Sequence, residues 1–378
     1  MAFATIGTTG IADDAVTSAK VAPGVVDTEA QPNQAPIIIN GNMAVAQRST
    51  SVSSANSSGY KAIDRYRHTI SIGTWTISQS TDSPSDEGFG YSMKMDCTTA
   101  EASPPSESAL AFVQKIEGQN LQLLKKGTSN AEKLTVAFWV KCTKTGTAQV
   151  NLIDQDNTRM IGQQFTVNAT DTWEKKVLSF NADTSGALGN DNGSSLRLEI
   201  WLDAGSSYKS GATPTSWESL NTADYFPGGT LNLGDNTSNN IYITGVQLEV
   251  GEFTSSTIPP FKHETFEENL RRCQRYLEFS SDYGADYTSG VNSCVIMDMG
   301  GSHPIYVPIS YNVYKRAAPT MTFYNSNSGA TGSWRTNASE DKSISGTSIS
   351  SQGFSTNSAD LGGDGRSSSG TWKAESEL

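Results

Sequence analysis

Two tryptophans occupy strand-like stretches in which they are the side chains best suited to binding chemistry. In LTVAFWVKC, residues 134–142, alternate apolar side chains share one face and Trp139 lies on the other, beside Lys141. In SSLRLEIWLDAG, Trp201 likewise lies opposite a leucine and isoleucine stripe. The polar side chains on the Trp201 face are Arg197, Glu199 and Asp203. If both stripes face a core, both indoles point outward, where an aromatic ring flanked by polar groups can stack on the C–H face of a sugar.

A long loop adds further aromatic side chains. The segment SSYKSGATPTSWESLNTADYFPGG carries Tyr208, Trp217 and Tyr225, and loops of this kind often line binding surfaces. We therefore count these three residues, with the two tryptophans and their polar neighbours, as sugar-binding candidates. The alternative is that a second layer, a loop or a neighbouring subunit covers Trp139 and Trp201, which would make both indoles structural.

The sequence carries none of the short motifs that mark common catalytic sites. It has no G-x-S-x-G elbow, P-loop, G-x-G-x-x-G or H-E-x-x-H. Two acidic pairs, Asp154 with Asp156 and Glu199 with Asp203, leave a glycosidase open, but such an enzyme needs two carboxylates facing each other across a cleft. Carboxylates in an acidic protein usually lie on solvated faces, so we expect a protein without enzymatic activity.

Turns rich in aspartate and asparagine (DQDN, GNDN and GDNTSNN) raise the question of a metal. Ca²⁺ takes six to eight oxygen ligands, which such loops can supply. Ordinary turn formation explains the same residues equally well, and the three histidines are scattered. We expect no cofactor, with a structural calcium ion as the open alternative.

Composition excludes several classes of partner and location. Of the 378 residues only 17% are charged, the net charge is −12 and no run of Lys and Arg occurs, so a nucleic-acid partner is not expected. The first twenty residues lack the basic and apolar segments of a signal peptide, and no stretch is apolar enough to be embedded in a membrane. We therefore expect free thiols in a protein made in a cytoplasm. The cysteines are Cys97, Cys142, Cys273 and Cys294.

From residue 36 to 261 the sequence reads as a series of short strands. Period-two alternation recurs in GFGYSMKMDC, LTVAFWVKC and SSLRLEIWLDAG, with Gly-, Asn- and Ser-rich turns between the stretches. About ten such strands predict an antiparallel jelly-roll β-sandwich. Within it we place Trp75 in the core and Trp173 at the start of a strand, both as structural residues.

A helix is predicted between 262 and 279, where it would link two β domains. Thr265 and Glu268 have the spacing of a capping box, acidic residues lie early and arginines late. Its apolar stripe consists of Phe266, Leu270, Cys273 and Leu277. The stripe could pack on the chain's own sandwich or on copies of the helix around a symmetry axis.

The two ends of the chain differ from the middle. Residues 1–35 have too few large apolar residues to form a core and read as an arm that lies on a partner. The candidate attachment residues are Ile11, Val16, Val21 and Val25. Residues 280–378 return to short strands and form a smaller C-terminal β domain. In its last 54 residues 23 are Ser or Gly, which is typical of disorder, so we expect neighbouring chains to order this end.

The order of these features resembles that of bacteriophage tail fibre proteins, notably those of marine and cyanobacterial phages. LTVAFWVKCTKTGTAQVNL, TWEKKVLSFNAD, LRLEIWLDAG and IYITGVQLEVGEF are similar to the carbohydrate-binding-module-like jelly roll of many phage virion proteins. PFKHETFEENLRRCQRYLE and VPISYNVYKRAAPTMTFYN resemble the segments that follow that module, and GIADDAVTSAKVAPGVV resembles short attachment repeats. The resemblance covers most of residues 1–325, and the Ser/Gly-rich end has no counterpart.

This resemblance implies a homotrimeric component of the virion that attaches through its N-terminus to other virion proteins and binds host-surface carbohydrate without cleaving it. Two alternatives stay open. One is a head fibre, decoration or collar protein with a purely structural role, and the other is a depolymerase that acts on host polysaccharide.

Overall fold

The computed structural model describes residues 35–286, 294–297, 305–358 and 367–378. The predicted attachment residues Ile11, Val16, Val21 and Val25 lie outside the described residues.

Two antiparallel sheets form a sandwich, with strands numbered along the chain. In pairing order the six-stranded sheet is β1 (Ser51–Ala55), β4 (Thr74–Ser80), β5 (Ser92–Thr99), β13 (Asn240–Val250), β7 (Leu134–Cys142) and β10 (Glu174–Phe180). The seven-stranded sheet is β12 (Glu218–Ser219), β9 (Arg159–Val167), β8 (Gly146–Asp154), β11 (Ser194–Ala204), β6 (Ala109–Glu117), β3 (Arg67–Ile70) and β2 (Gly59–Tyr60). The predicted mainly-β sandwich is confirmed.

The predicted apolar stripes face each other between the sheets. The alternate residues of β7 and β11 from these stripes are all buried, and Trp75 on β4 is fully buried, as predicted. The ring of Phe138 on β7 meets that of Phe165 on β9 edge to face, with centroids 5.1 Å apart, and so joins the two sheets. Each large apolar side chain buried in this way contributes about 1.5–3 kcal/mol. The outward residues of both sheets are therefore held in fixed positions by one continuous core.

The predicted helix forms, but it is shorter than expected. Helix α1 spans Phe266–Gln274, and Thr265 caps it through a capping box with Glu268. Leu277 is not part of it, because the chain turns after the helix and Leu277 begins strand β14 (Leu277–Phe279), where it is fully buried.

The helix packs on its own chain. Cys273 is fully buried in a small cluster with Ile39, Val45 and Tyr276, while Phe266 is 46% exposed. Cys273 and Leu277 are thus unavailable for contacts with sister helices. Of the two alternatives for the stripe Phe266, Leu270, Cys273 and Leu277, packing on the chain's own core is the one that the structure shows for Cys273 and Leu277.

A third sheet follows the helix. Its strands are β14, β15 (Cys294–Met297), β16 (Ile305–Ser310), β17 (Thr320–Asn325), β18 (Ser333–Thr336), β19 (Asp341–Thr347), β20 (Gly353–Ser358) and β21 (Ser367–Glu375). Strand β21 pairs with β14 and β15, and also with β17 and β18. A separate aromatic core packs on this sheet and includes Tyr311, Phe323, Trp334, Phe354 and Trp372.

The Ser/Gly-rich end is held by the chain itself. Glu377 pairs with two arginines of the sandwich side, the fully buried Arg65 and, at 3.1 Å, Arg48. The Tyr60 hydroxyl donates a hydrogen bond to the carbonyl of Leu378 at 3.0 Å. The described residues of this end therefore have partners in the rest of the chain, while a contribution of neighbouring chains stays a prediction. Polar strands are ordered here because they pair around β21 and because Glu377 compensates buried charge.

Two further features can be compared with the sequence analysis, the cysteines and the helices. Cys97, Cys142 and Cys273 are free, buried thiols, as predicted, while the side chain of Cys294 lies outside the described residues. None of the described helices has the length and apolar character needed to cross a membrane.

Candidate functional site

The two tryptophans that the sequence singles out lie on different sheets. Trp139 is on β7 of the six-stranded sheet and Trp201 is on β11 of the seven-stranded sheet. Alternation correctly places both on outward faces, but these faces are on opposite sides of the sandwich. Trp139 and Trp201 therefore belong to two separate surfaces.

The outward face of the six-stranded sheet carries a cluster of half-buried aromatic side chains, which we call the platform: Trp139, Trp173 and Tyr242, with Lys94 and Lys141. Strand pairing assembles it. Tyr242 on β13 lies opposite Lys141 on one side and Lys94 on the other. Trp173 directly precedes β10, whose first residue pairs with Val140, so it reaches the free side of Lys141.

Cations lie between the rings of the platform. The Lys141 ammonium is 4.7 Å from the Tyr242 ring centroid and 5.5 Å from that of Trp173, and the two rings meet edge to face at 6.3 Å. Lys94 lies 5.6 Å from the Tyr242 centroid. Contacts of this kind contribute about 0.5–1 kcal/mol each at exposed sites, so they orient the rings more than they stabilise the fold.

Carboxylates complete the polar rim of the platform. Asp82 bonds the Lys141 ammonium and accepts a hydrogen bond from the Trp173 indole N–H at 3.3 Å. Although burial lowers the pKa of Lys94, its hydrogen bond to Asp96 and the neighbouring Tyr242 raise that pKa above its ordinary value. The ammonium therefore stays charged. Half-exposed rings, ammonium donors and carboxylate acceptors are together what a sugar requires, because its C–H faces stack and its hydroxyls hydrogen-bond.

A bulge in β13 brings Trp139 close to the backbone of the neighbouring strand. The register between β13 and β7 shifts between Thr244 and Gln247, and Gly245 adopts a φ of +63°. A Cβ at this position would lie 2.7 Å from the Phe89 ring and 3.0 Å from Trp139 Cδ1. Only glycine allows both the left-handed conformation and this close approach of two aromatic rings.

On the opposite sheet, a long segment covers the predicted sugar-binding residues. Residues 205–231 cross the outward face and bond to strands β8 and β9. Gln149 and Asn151 donate side-chain hydrogen bonds to the carbonyls of Asp224 and Tyr225, each at 2.9 Å, and the Gly162 amide donates to Pro214 at 2.8 Å. Trp201 is consequently only 5% exposed. The alternative interpretation, a covering loop, is the one that the structure shows for Trp201.

The covered side chains form ring contacts, hydrogen bonds and an ion pair with one another. Trp201 stacks on Tyr225 at 4.8 Å and packs against Tyr208 at 5.2 Å, and its indole N–H donates to Glu199 at 2.8 Å. Glu199 also pairs with Arg197 at 3.0 Å. Burial raises the pKa of Tyr225 to about 12. Five of the predicted residues thus form one packed cluster, which holds the covering segment in place.

The last two candidates lie apart from this cluster. Asp203 is buried at the end of β11, where it accepts hydrogen bonds from the amides of Ala204 and Gly234, and burial raises its pKa. Trp217 donates its indole N–H to the Asn181 carbonyl at 2.8 Å, near Lys126. Because Glu199 and Asp203 are buried and hydrogen-bonded separately, they do not face each other across a cleft as a pair of glycosidase carboxylates would.

Sequence reasoning missed two of the three aromatic residues of the platform, for different reasons. Tyr242 had a local signal, because Ile241 and Ile243 in the closing strand point inward and so direct Tyr242 outward. The sequence around Trp173 carried no such signal, because the position of Trp173 depends on the pairing of β10 with β7, two strands about 35 residues apart. The predicted position of Trp173 at the start of a strand is confirmed, since it directly precedes β10.

An internal cation occupies one of the three turns considered for calcium. The buried Lys126 ammonium bonds Asp154 of the DQDN turn, Asp183 at 2.9 Å and the carbonyls of Ser185 and Gly186 at 3.0 and 2.9 Å. Oxygen atoms that could have surrounded a metal ion are thus used by a lysine. Among the residues that the structure describes, no group of three or more His, Cys, Asp or Glu side chains is arranged to hold a metal.

Solved structures with a similar fold include sugar-binding modules and a phage protein. Tailspike protein 4 of bacteriophage CBA120, an enzymatically active domain, matches 57% of the chain with 13% identity and a TM-score of 0.30, and the match spans 21% of the tailspike chain. The module TmCBM61, solved with β-1,4-galactotriose, matches 57% of the chain and 99% of its own at 8% identity and a TM-score of 0.30. A CBM4 module matches 56% of the chain and 97% of its own at 13% identity and a TM-score of 0.29.

No model of a protein family matches the chain, and no curated protein matches its sequence. TM-scores this low establish no shared site, so what the molecule binds has to follow from its own side chains.

Proposed function

We propose that the chain is a subunit of a bacteriophage particle, a tail fibre or receptor-binding protein, that binds host-surface carbohydrate through the platform and does not cleave it. The observation that carries the proposal is the platform itself: three half-exposed aromatic rings on an open sheet face, with charged hydrogen-bonding groups between and around them.

The platform suits a sugar better than the face predicted around Trp201. Trp201 and Tyr225 are almost fully buried, and the Trp201 indole N–H is already bonded to Glu199. Trp139, Trp173 and Tyr242 keep exposed surface. An exposed indole that meets no partner is unfavourable in water, and a stacked sugar ring removes that surface from water.

The virion assignment is supported by the order of segments along the chain, which resembles that of phage fibres. We infer that residues 1–35 attach the subunit to other virion proteins and that three copies assemble. Single sugar contacts are weak, and three platforms on one particle component would bind a repetitive surface with higher avidity.

A glycan array probed with the full-length chain tests the sugar-binding proposal. We expect binding to a set of glycans that falls by roughly two- to tenfold in Trp173→Ala and Tyr242→Ala, because stacking on an aromatic side chain contributes about 0.5–1.5 kcal/mol. Tyr314→Ala is the matched control, since Tyr314 is 65% exposed and lies outside the platform. Equal binding by all these variants would exclude the platform. No glycan binding at all, with the platform covered by a neighbouring protein in a map of the particle, would favour a purely structural role.

The proposal also predicts that the bound glycan stays intact. After incubation with the polysaccharide that the chain binds, we expect no increase in reducing ends above a buffer control. An increase that is lost in Glu199→Gln or Asp203→Asn would contradict the proposal and identify a depolymerase instead.

A further inference from the structure

A row of three cations, of which only Arg197 has a carboxylate partner, lies on the opposite side of the sandwich from the platform. Arg67 on β3, Lys115 on β6 and Arg197 on β11 share the outward face of the seven-stranded sheet and are all partly exposed. We call these three residues the cation strip. Lys115 lies directly opposite Arg197, and Arg67 lies opposite Val113, two residues from Lys115 on the same face.

Lys115 is the centre of the cation strip and has no anionic partner. Among the residues that the structure describes, its ammonium makes no hydrogen bond and no ion pair, and Arg67 bonds only the hydroxyl of Thr69, at 3.3 Å. Burial, together with the charges of Arg67, Arg197 and the more distant Arg316, lowers the pKa of Lys115.

The two carboxylates nearest to the strip along its strands neutralise only one of its three charges. Glu199 bonds Arg197 with one oxygen and the Trp201 indole with the other. Glu117, two residues beyond Lys115, is held by Arg275 through two contacts of 2.7 Å. The strip therefore keeps a net positive charge, in a chain that has 39 acidic and 27 basic residues.

Like charges placed directly opposite each other on a sheet destabilise it. Elsewhere in this molecule buried charges are paired, as the Arg65 guanidinium is with the Glu377 carboxylate. The charges of the cation strip are not all paired in this way. An anion bound from solution would remove the repulsion, and arginine and lysine side chains are suited to carboxylate and sulfate oxygens.

We propose that the cation strip binds the anionic group, a carboxylate or a sulfate ester, of an acidic polysaccharide. Arg197 Nη2 donates a hydrogen bond to the hydroxyl of the buried Tyr225 at 3.5 Å, which orients the guanidinium at one end of the strip. Three cations on a chain of net charge −12 are too few for the extended phosphate contacts of a nucleic acid. The proposal does not depend on the platform, which lies on the other sheet.

Titration calorimetry of the full-length chain at low ionic strength tests this site. The probes are dextran sulfate, alginate, neutral dextran, inorganic sulfate and duplex DNA. We expect dextran sulfate or alginate to bind, with an affinity that falls as salt is added, and neutral dextran not to bind. Lys115→Met should weaken this binding roughly tenfold, a change typical of a lost charge-assisted contact. Lys133→Met, which removes the same charge from an exposed pair with Glu252, should leave it within about twofold.

Thermal unfolding separates loss of a ligand contact from loss of the fold. Without ligand, Lys115→Met should melt at the same temperature as the unmodified chain or higher, because it relieves repulsion, and dextran sulfate should raise the melting temperature of the unmodified chain only. Equal binding by Lys115→Met and Lys133→Met would overturn the proposal. So would binding of neutral dextran, inorganic sulfate or duplex DNA that is as tight as that of the acidic polysaccharides and that Lys115→Met weakens to the same degree.

Discussion

His68 illustrates how burial controls a titratable side chain in this sandwich. It lies fully buried on β3, with Nε2 3.1 Å from the sulfur of Met93 and with no partner for Nδ1 among the described residues. Burial, with the positive charges of Lys61 and Arg67, lowers the pKa of His68 to about 3. The imidazole is therefore neutral in the folded protein at any pH above that value.

The depressed pKa of His68 predicts a loss of stability in mild acid. In the unfolded chain the imidazole of His68 takes up a proton near pH 6.5, whereas in the folded chain it stays neutral. The contribution of His68 to the free energy of unfolding is therefore complete above pH 6.5 and is lost as the pH falls towards 3. We expect the free energy of unfolding to fall by roughly 1.4 kcal/mol per pH unit over this range from His68 alone. Denaturant unfolding between pH 7 and 4 should show this slope relative to His68→Leu. Parallel pH profiles for the two proteins would contradict the prediction.

At the scale of the single element, alternation in the sequence was enough to assign inward and outward residues. It placed the stripes of β7 and β11 in the core, and it identified the cap of α1 at Thr265. It could not say to which sheet a strand belongs, since Trp139 and Trp201 have the same local pattern and lie on opposite sides. It also missed the end of the helix, because Leu277 continues the helical spacing although pairing with β21 draws it into a strand.

The same limit applied to the candidate site. The sequence correctly grouped Trp201, Tyr208 and Tyr225 as candidates together with Arg197 and Glu199. It did not show that residues 205–231 cover Trp201, because no local pattern encodes the path of this segment over the sheet. The platform depends on the pairing of strands far apart in the sequence, which a single sequence does not show.

The contact between the C-terminal strand and the sandwich predicts a strong effect of one charge. Glu377→Gln would leave Arg65 and Arg48, both largely buried, without their shared carboxylate. Removing one partner of a buried ion pair typically costs about 3–5 kcal/mol, and we expect a loss near the lower end because Arg48 keeps Glu375 at 2.7 Å. Denaturant unfolding should detect this loss, while the control Glu252→Gln, in an exposed pair with Lys133, should change stability by less than about 1 kcal/mol. Equal effects of both changes would mean that the C-terminal contact contributes little.

At the scale of the whole molecule, the sandwich presents two different outward surfaces, an aromatic platform on one sheet and a cation strip on the other. Both are positioned by one core, and the third sheet is joined to that core through Glu377 and the helix. A trimer would therefore present three copies of each surface in a fixed arrangement.

Trimer formation is itself testable. We expect light scattering after gel filtration to give the mass of three chains of 40.4 kDa each. Because Cys273 and Leu277 are buried in their own chain, Phe266→Ser, which changes the one strongly exposed residue of the helix stripe, should leave the trimer intact. A monomer for the unmodified chain would contradict the trimer, whereas a monomer only for Phe266→Ser would place the contact at the helix.

The most direct test of the central claim is a proton–nitrogen correlation spectrum of the seven tryptophan indoles, recorded as the glycan selected on the array is added. Sugar binding at the platform predicts that the Trp173 and Trp139 signals move in proportion to bound ligand, while those of the buried Trp75, Trp334 and Trp372 stay in place. Trp201 and Trp217, on the opposite sheet, should not move either. Movement of Trp201 or Trp217 with Trp139 and Trp173 unchanged would contradict the platform and return the site to the seven-stranded sheet.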